Sequence, residues 1–579
     1  MRAIFTSVVG AWISTQLLLS VPCLAFPVQD HCPNHAPFAQ TTNGTVCGID
    51  LPGFNQAAFF GIPYAQPPVG DLRLRHAIPY NHTYSAYPAI AQPPSCPGYA
   101  GFDVGIGPLS EDCLYLNIVR PSMQENVSHG ALPVLVWIYG GGFDAGGIAD
   151  PRYNMSYIVQ QAAAMHKPIL GVSINYRVGG WGFLSSREVL AAGTANIGLF
   201  DQRRALEWIQ ENIGTFGGDP AQVTIWGESA GAFSVGYHLV GFEGKHANLF
   251  RGAILESGSM LGSALQDSET ITQPGGFQEM YDNVTMTVGC ADAADTLACL
   301  RHVSYESLFD AFAPQVYTPV IDRTFLTRRP SESLARGLVA DVAVLVGANT
   351  DEGTAAFWGP RGTLNTSADV AAYIKTLNGG GLDHQQVDEL LKLYPDDPAK
   401  GCPYGTGEER FASQGWMYKR GAAIAGDIFV HAGRRRVAEF FAARQTGNPT
   451  YSYRFDQAPW NGVEELITTV APVYSTHYVE LIFVFNNPSP NLSNSIGPYA
   501  SYHDLSTLMS RSWVSFVHDL NPNHYGLGKQ VHWPAYTAAR PQNIVFRAED
   551  NQGGVFVEQD TYRTEQLAWW NTHWSYLRS

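Results

Sequence analysis

The segment Phe216-Gly-Gly-Asp-Pro-Ala-Gln-Val-Thr-Ile-Trp-Gly-Glu-Ser-Ala-Gly231 decides how this chain is read. Val223 to Trp226 is a short apolar, β-branched run of the kind buried inside a sheet. It leads without a break into Gly227-Glu228-Ser229-Ala230-Gly231, a G-x-S-x-G. Alone the pentapeptide is weak, because glycine fills 58 of 579 positions and chance matches are common. Its place after a strand and before small residues makes it a strand-to-helix elbow, with Ser229 as the expected nucleophile. The two glycines would let the chain turn sharply and leave room beside a serine hydroxyl projecting from the top of the sheet.

A serine nucleophile needs donors aimed at the oxyanion it generates. Directly after the apolar run Leu132 to Tyr139 comes Gly140-Gly141-Gly142-Phe143, where glycines expose backbone N–H groups that side chains would crowd. Gly379-Gly380-Gly381 follows no such run and reads as a loop, so placement carries the signal. The N–H of Ala230 would complete the hole. An acid and a histidine should follow in chain order. Gly347-Ala-Asn-Thr-Asp351-Glu352-Gly353 lies past the run Val342 to Val346, and spacing leaves Asp351 and Glu352 as equal candidates. Eight histidines come later, His384, His431, His477, His503, His518, His524, His532 and His573, and periodicity does not choose among them.

Further runs extend the same pattern outward. Leu132 to Tyr139, Pro168 to Asn175, Gly252 to Leu255 and Val342 to Val346 read as strands buried on both faces, the mark of a parallel sheet with helices on each side. Ala205, Leu206, Ile209 and Ile213 recur at helical spacing between Gln202 and Ile213. Leu567, Trp570, Trp574 and Leu577 predict a C-terminal helix docked on the core. With no repeat, low-complexity tract or linker, residues 26–579 read as one large α/β domain.

Composition sets the surroundings. Lys+Arg total 35 against 51 Asp+Glu, a net charge of −16, which repels a phosphate backbone and argues against nucleic acid as a partner. Disorder, collagen and coiled coil each need a composition this chain lacks. Residues 1–25, with Arg2, Leu17-Leu18-Leu19 and Cys23-Leu24-Ala25, read as a signal peptide cut after Ala25. No later segment is apolar enough to span a bilayer, so a secreted protein is expected. Asn43, Asn81, Asn126, Asn154, Asn283, Asn365 and Asn491 head glycosylation sequons. Seven cysteines remain after Cys23, an odd number that leaves at least one thiol free or paired between chains. Cys96 with Cys113, and Cys290 with Cys299, are each close enough in sequence to staple a local loop. No Cys/His spacing suggests a metal site.

Several long strings carry a family resemblance. They are Phe59-Phe-Gly-Ile-Pro-Tyr-Ala-Gln-Pro-Pro-Val-Gly70, Ser110-Glu-Asp-Cys-Leu-Tyr-Leu-Asn117, Gly140-Gly-Gly-Phe143, Asn196-Ile-Gly-Leu-Phe-Asp-Gln-Arg203 and the serine segment. From about Val46 to its end the chain resembles type-B carboxylesterases of the cholinesterase/lipase family, most of all secreted fungal members. The resemblance implies an α/β-hydrolase fold and a cofactor-free Ser-His-Glu esterase. Ser229 would be nucleophile, His477 in Ser-Thr-His-Tyr-Val-Glu-Leu the base and Glu352 the acid that orients it. Gly141, Gly142 and Ala230 would be the oxyanion donors. It also implies disulfides Cys96–Cys113 and Cys290–Cys299, leaving Cys32, Cys47 and Cys402 unassigned.

The substrate is the least specified part. Sixteen residues separate Cys96 from Cys113, where family lipases carry a longer amphipathic lid and cholinesterases a tryptophan for the choline cation. This loop has no Trp, so esters of small to medium molecules are expected. Long-chain or sterol esters are the alternative, as is an ester in a secondary-metabolite pathway. An adhesion-type relative without activity would have replaced a triad member, and none is replaced.

Overall fold

The computed structural model describes residues 31–99, 106–122, 130–355, 362–377, 381–444, 446–460, 474–489, 496–527, 531–549 and 553–574. The signal peptide read over 1–25, Asn126, Asn491 and Leu577 lie outside the described residues.

Among the described residues, fourteen strands run in chain order as β1 Phe38–Thr41, β2 Gly44–Cys47, β3 Ile49–Leu51, β4 Gln56–Pro63, β5 Tyr84–Pro88, β6 Tyr115–Pro121 and β7 Leu132–Ile138, then β8 Leu170–Ile174, β9 Gly218–Glu228, β10 Gly252–Glu256, β11 Ala343–Asn349, β12 Thr450–Phe455, β13 Gln542–Phe546 and β14 Phe556–Gln559. β1, β2 and β5 form a small sheet, and the other eleven form one sheet in the order β14-β13-β12-β11-β10-β9-β7-β8-β6-β4-β3. The seven strands from β13 to β8 pair in parallel, while β14, β6, β4 and β3 are antiparallel additions at the edges. Every residue of β8, β10 and β11 is buried, as strands covered on both faces require. This is the α/β architecture the sequence predicts, a large, mostly parallel sheet with helices around it.

Strand order also locates the crevice. After β7 the chain steps to β8 on one side, then crosses back to β9 on the other and builds β10 to β13 outward. In open parallel sheets, ligands bind outside the carboxyl ends of the strands at such a reversal. Here those ends are Gly140–Gly142 after β7 and Ser229 after β9.

Behind β7 and β9 an aromatic cluster ties a later segment to this edge. Trp137 and Trp226 meet at 4.5 Å, and Phe485 sits 4.5 Å from Trp226 and 5.1 Å from Trp137. Phe485 ends the helix Leu481–Phe485, just beyond His477, so burying one aromatic ring holds the histidine segment against the serine strand. Such burial is worth about 1.5–3 kcal/mol, with a further increment for the edge-on contacts. Helix Ala500–Asp519 backs this one, with Ser506 Oγ donating to the Phe483 carbonyl at 2.9 Å and accepting from Asn486 Nδ2 at 2.8 Å.

At the elbow the glycines do something other than turn. The left-handed backbone falls on Ser229 itself, with φ 54° and ψ −126°. Gly227 and Gly231 are needed for space: a Cβ on Gly227 would lie 2.4 Å from the Gly231 carbonyl, and one on Gly231 would lie 2.0 Å from the Ile138 oxygen. Gly231→Ala should therefore push β7 and the elbow apart at a cost of about 1–3 kcal/mol or more. The checkable result is a clear drop in thermal midpoint, together with loss of any activity that depends on the glycine loop following β7.

Candidate active site

Three chain segments meet at the crevice. The serine follows β9 and caps the helix Ala230–Val240, its N–H donating to the Glu256 carbonyl at 3.0 Å and its carbonyl accepting from Phe233 N at 2.9 Å. The glycine loop after β7 lies directly against it: a Cβ on Gly140 would stand 2.9 Å from Ser229 Cβ and 2.6 Å from the Glu228 carbonyl. Gly141 and Gly142 have φ of 107° and 69°, and the turn closes as Asp144 N and Ala145 N donate to the Gly141 carbonyl at 3.0 and 3.1 Å. Phe143, also at positive φ, packs on Phe183 at 5.1 Å and holds the loop down. Among the described residues, the N–H groups of Gly141, Gly142 and Ala230 donate to no oxygen. A Cβ on Gly142 would meet nothing within 4 Å, so this part of the loop faces open space.

The acid segment follows β11. Here the two carboxylates that spacing left equal are separated by direction. Asp351 Oδ1 accepts from Tyr404 N at 2.8 Å and from the Cys402 thiol at 3.6 Å, so it faces the 402–404 segment. Glu352 Oε2 meets His477 Nδ1 at 2.6 Å, and Glu352 Oε1 accepts from Asn349 N at 2.7 Å. Gly353 completes the motif because a Cβ there would lie 1.8 Å from the Ala422 carbonyl, in the helix Tyr418–Gly426 that backs the turn. His477 is 2% exposed and Glu352 is fully buried, so their contact is sheltered from water.

The histidine's other face meets an acid that sequence reasoning passed over. His477 Nε2 lies 3.2 Å from Glu228 Oε1, the residue just before the serine. Burial, then the neighbouring Glu480, Glu352 and Glu256, push the Glu228 carboxyl well above the usual range. Glu480 is pushed up to about 8 by burial and by Glu352. The x of G-x-S-x-G was the available signal for Glu228, and Glu480 is already present in the string that carries His477. The seven histidines not chosen by the resemblance do not contact Glu352 in the described contacts; His431, for example, pairs with Tyr562 and His524 with Asp519.

The other sequence-predicted positions are placed as follows. Cys96–Cys113 and Cys290–Cys299 are bonded, Cys32 bonds Cys47, and Cys402 is a free, buried thiol. Asn81, Asn154, Asn283 and Asn365 are exposed, whereas Asn43 is half-buried with its amide donating to the Tyr80 and His82 carbonyls. Among the described residues no group of three or more His, Cys, Asp or Glu is arranged to hold a metal, and no helix is long and apolar enough to cross a membrane.

Arranged in this way, a serine at a strained elbow, open backbone donors and a buried histidine–carboxylate contact can perform acyl transfer. Comparison with known proteins agrees. Residues 35–570 match the carboxylesterase family, and the chain belongs to it. It is a carboxylic ester hydrolase with the α/β-hydrolase fold. It is 34% identical over 569 residues to "Lipase 4" of Diutina rugosa, covering 91% of this chain and 94% of the relative. "Secreted lipase 1" of Botryotinia fuckeliana (strain B05.10) is 36% identical over 528 residues, covering 84% and 85%. The crystal structure of Aspergillus niger EstA superposes with a TM-score of 0.77 at 26% identity, covering 94% of this chain and 99% of that one.

Burial raises Asp351 from 3.8 to about 8, with Asp456 adding to the rise. Between those values the folded protein holds a proton that the unfolded chain has released, so this group's contribution to stability is present at low pH and lost as pH rises through that window. Asp351→Asn preserves the acceptor for Tyr404 N and removes the ionisation. Its thermal midpoint should fall less than that of the wild type between about pH 4.5 and 8.5, measured by calorimetry in matched buffers.

Proposed function

We propose that the chain is a secreted serine esterase of one domain over 26–579, acting on carboxylic esters of small to medium molecules. The 2.6 Å contact of His477 Nδ1 with Glu352 Oε2, beside a serine elbow against which the glycine loop is packed, carries this reading. In it His477 takes the Ser229 proton as the hydroxyl attacks the ester carbonyl, and Glu352 fixes the tautomer and supports the imidazolium. The N–H groups of Gly141, Gly142 and Ala230 receive the tetrahedral oxyanion. His477 then returns the proton to the leaving alkoxide, and water repeats the sequence to release the acid and regenerate Ser229. No metal or organic cofactor takes part. His477 acts as base through its unprotonated ring nitrogen.

Secretion is supported by three disulfides, which persist in oxidising compartments, and by similarity to relatives named as secreted. Exposed sequons at Asn81, Asn154, Asn283 and Asn365 fit a glycosylated product. The sixteen-residue interval between Cys96 and Cys113 favours small substrates. Long-chain esters are the second reading, favoured by relatives that are named lipases, including "Secreted triacylglycerol lipase LIP1" of Gibberella zeae.

Initial rates on p-nitrophenyl esters from acetate to palmitate separate the two readings. A maximum at short chains supports the first, and a maximum at long chains with activation by emulsions supports the second. Ser229→Ala should reduce turnover by about 10,000-fold or more. Glu352→Gln should cost roughly 10,000-fold while Asp351→Asn stays within several-fold of wild type. Equal losses at 351 and 352 would remove the assignment of the acid.

A further inference from the structure

One residue grips both partners of the histidine–carboxylate contact. Asn349, the last residue of β11, is fully buried. Its main-chain N–H donates at 2.7 Å to Glu352 Oε1, the oxygen that His477 does not use. Its side-chain Nδ2 donates at 2.7 Å to the Thr476 carbonyl, in the peptide that enters His477, and also to Glu480 Oε2. The Thr476 carbonyl can only accept, which fixes the amide with its nitrogen toward this cluster. Glu480 is steadied from the other side by Ser257 Oγ at 3.0 Å, just past β10. Other ties join the acid and histidine segments, among them Asp351 N to the Ser475 carbonyl at 2.8 Å and Thr354 Oγ1 to Thr476 Oγ1 at 2.7 Å. Neither of these two bonds touches the Glu352 carboxylate.

We propose that Asn349 is a positioning residue of this enzyme: a single amide–peptide unit that sets where Glu352 and His477 stand relative to one another. The proposal rests on the assignment of Ser229, His477 and Glu352 made above. A backbone donor holds the acid with no rotamer of its own, and the side chain of the same residue reaches across to the base. The acid-to-base distance is then governed by one rigid strand end rather than by two independent loops. Reacting groups displaced by about 1 Å commonly lose about 100-fold in rate, so a shared anchor is where such a displacement is prevented.

Asn349→Asp keeps the shape and the backbone N–H but replaces the donor Nδ2 with an oxygen. Asn349→Ala removes the clamp without adding a charge. Both are compared with wild type and Ser229→Ala as the full secreted chain. The expected result for Asn349→Asp is a kcat lower by about 10- to 100-fold with KM within about twofold. The groups facing His477 are Glu352 at Nδ1 and Glu228 at Nε2, with Glu480, Glu256 and Arg152 around Glu228. The two variants remove none of these groups, and Asn349→Asp adds a carboxyl beside Glu480. Wild-type kcat in folded Asn349→Asp and Asn349→Ala would overturn the proposal. So would a loss of rate that only tracks the folded fraction, or failure of both variants to fold; either would make the amide a fold contact. Retained turnover in Ser229→Ala would instead sink the underlying assignment, and that outcome is read independently.

Discussion

How closely three backbones pass one another at the carboxyl edge of the sheet determines everything built there. The Gly231 position touches the Ile138 carbonyl, the Gly140 position touches Glu228 and Ser229, and the Gly353 position touches Ala422. Each approach is tighter than any side chain allows. Ser229 carries part of the resulting strain: its backbone sits at positive φ because the helix behind it, the neighbouring strands and a bond to Glu256 over-determine its path. Release any of these approaches and the glycine loop, the serine and the acid turn would drift independently.

The second constraint is electrostatic. Glu228, Glu256, Glu352 and Glu480 are all essentially buried within one region of a chain that already carries a charge of −16. Four ionised carboxylates could not share that volume, since each would forfeit hydration and repel the rest. Glu228, Glu256 and Glu480 are accordingly pushed upward, burial being the largest cause in each. Donors are supplied where they are needed: Trp513 to Glu256, and Ser257 and Asn349 to Glu480. Glu352 alone faces the histidine ring nitrogen Nδ1.

The legible parts of the sequence were those where burial leaves a periodic trace. β7 to β11 stood out because both faces are covered and apolar residues run on unbroken. β4 and β12 did not: Gly61-Ile62-Pro63 interrupts the first at a register shift, and Thr450-Tyr-Ser-Tyr-Arg-Phe455 mixes polar residues into the second. The C-terminal helix stops at Thr572, although Trp574 remains buried beyond it. At the site, the serine and glycine loop were readable because their chemistry is local to a strand end. The choice of His477 and of Glu352 over Asp351 was not, since it depends on a contact between residues 125 apart, made only once β11 and the histidine segment are assembled. Only the resemblance supplied them. Glu228 and Asn349 escaped for the same reason: nothing in their spacing says which way they point.

Cys402 has a bearing on how this protein dies. Its thiol is buried next to Asp351, and burial pushes it well above its ordinary range, so in the native state it is an inert un-ionised group in a chain that also holds three closed disulfides. Unfolding releases the same sulfur into solvent, where part of it ionises and attacks any of those bridges. The free thiol thus converts a reversible excursion into a covalent one: each opening long enough to expose it offers a route to scrambled or cross-linked chains. Lifetime at elevated temperature is then set by how rarely that corner opens, and alkaline conditions shorten it even where the folded state is unchanged.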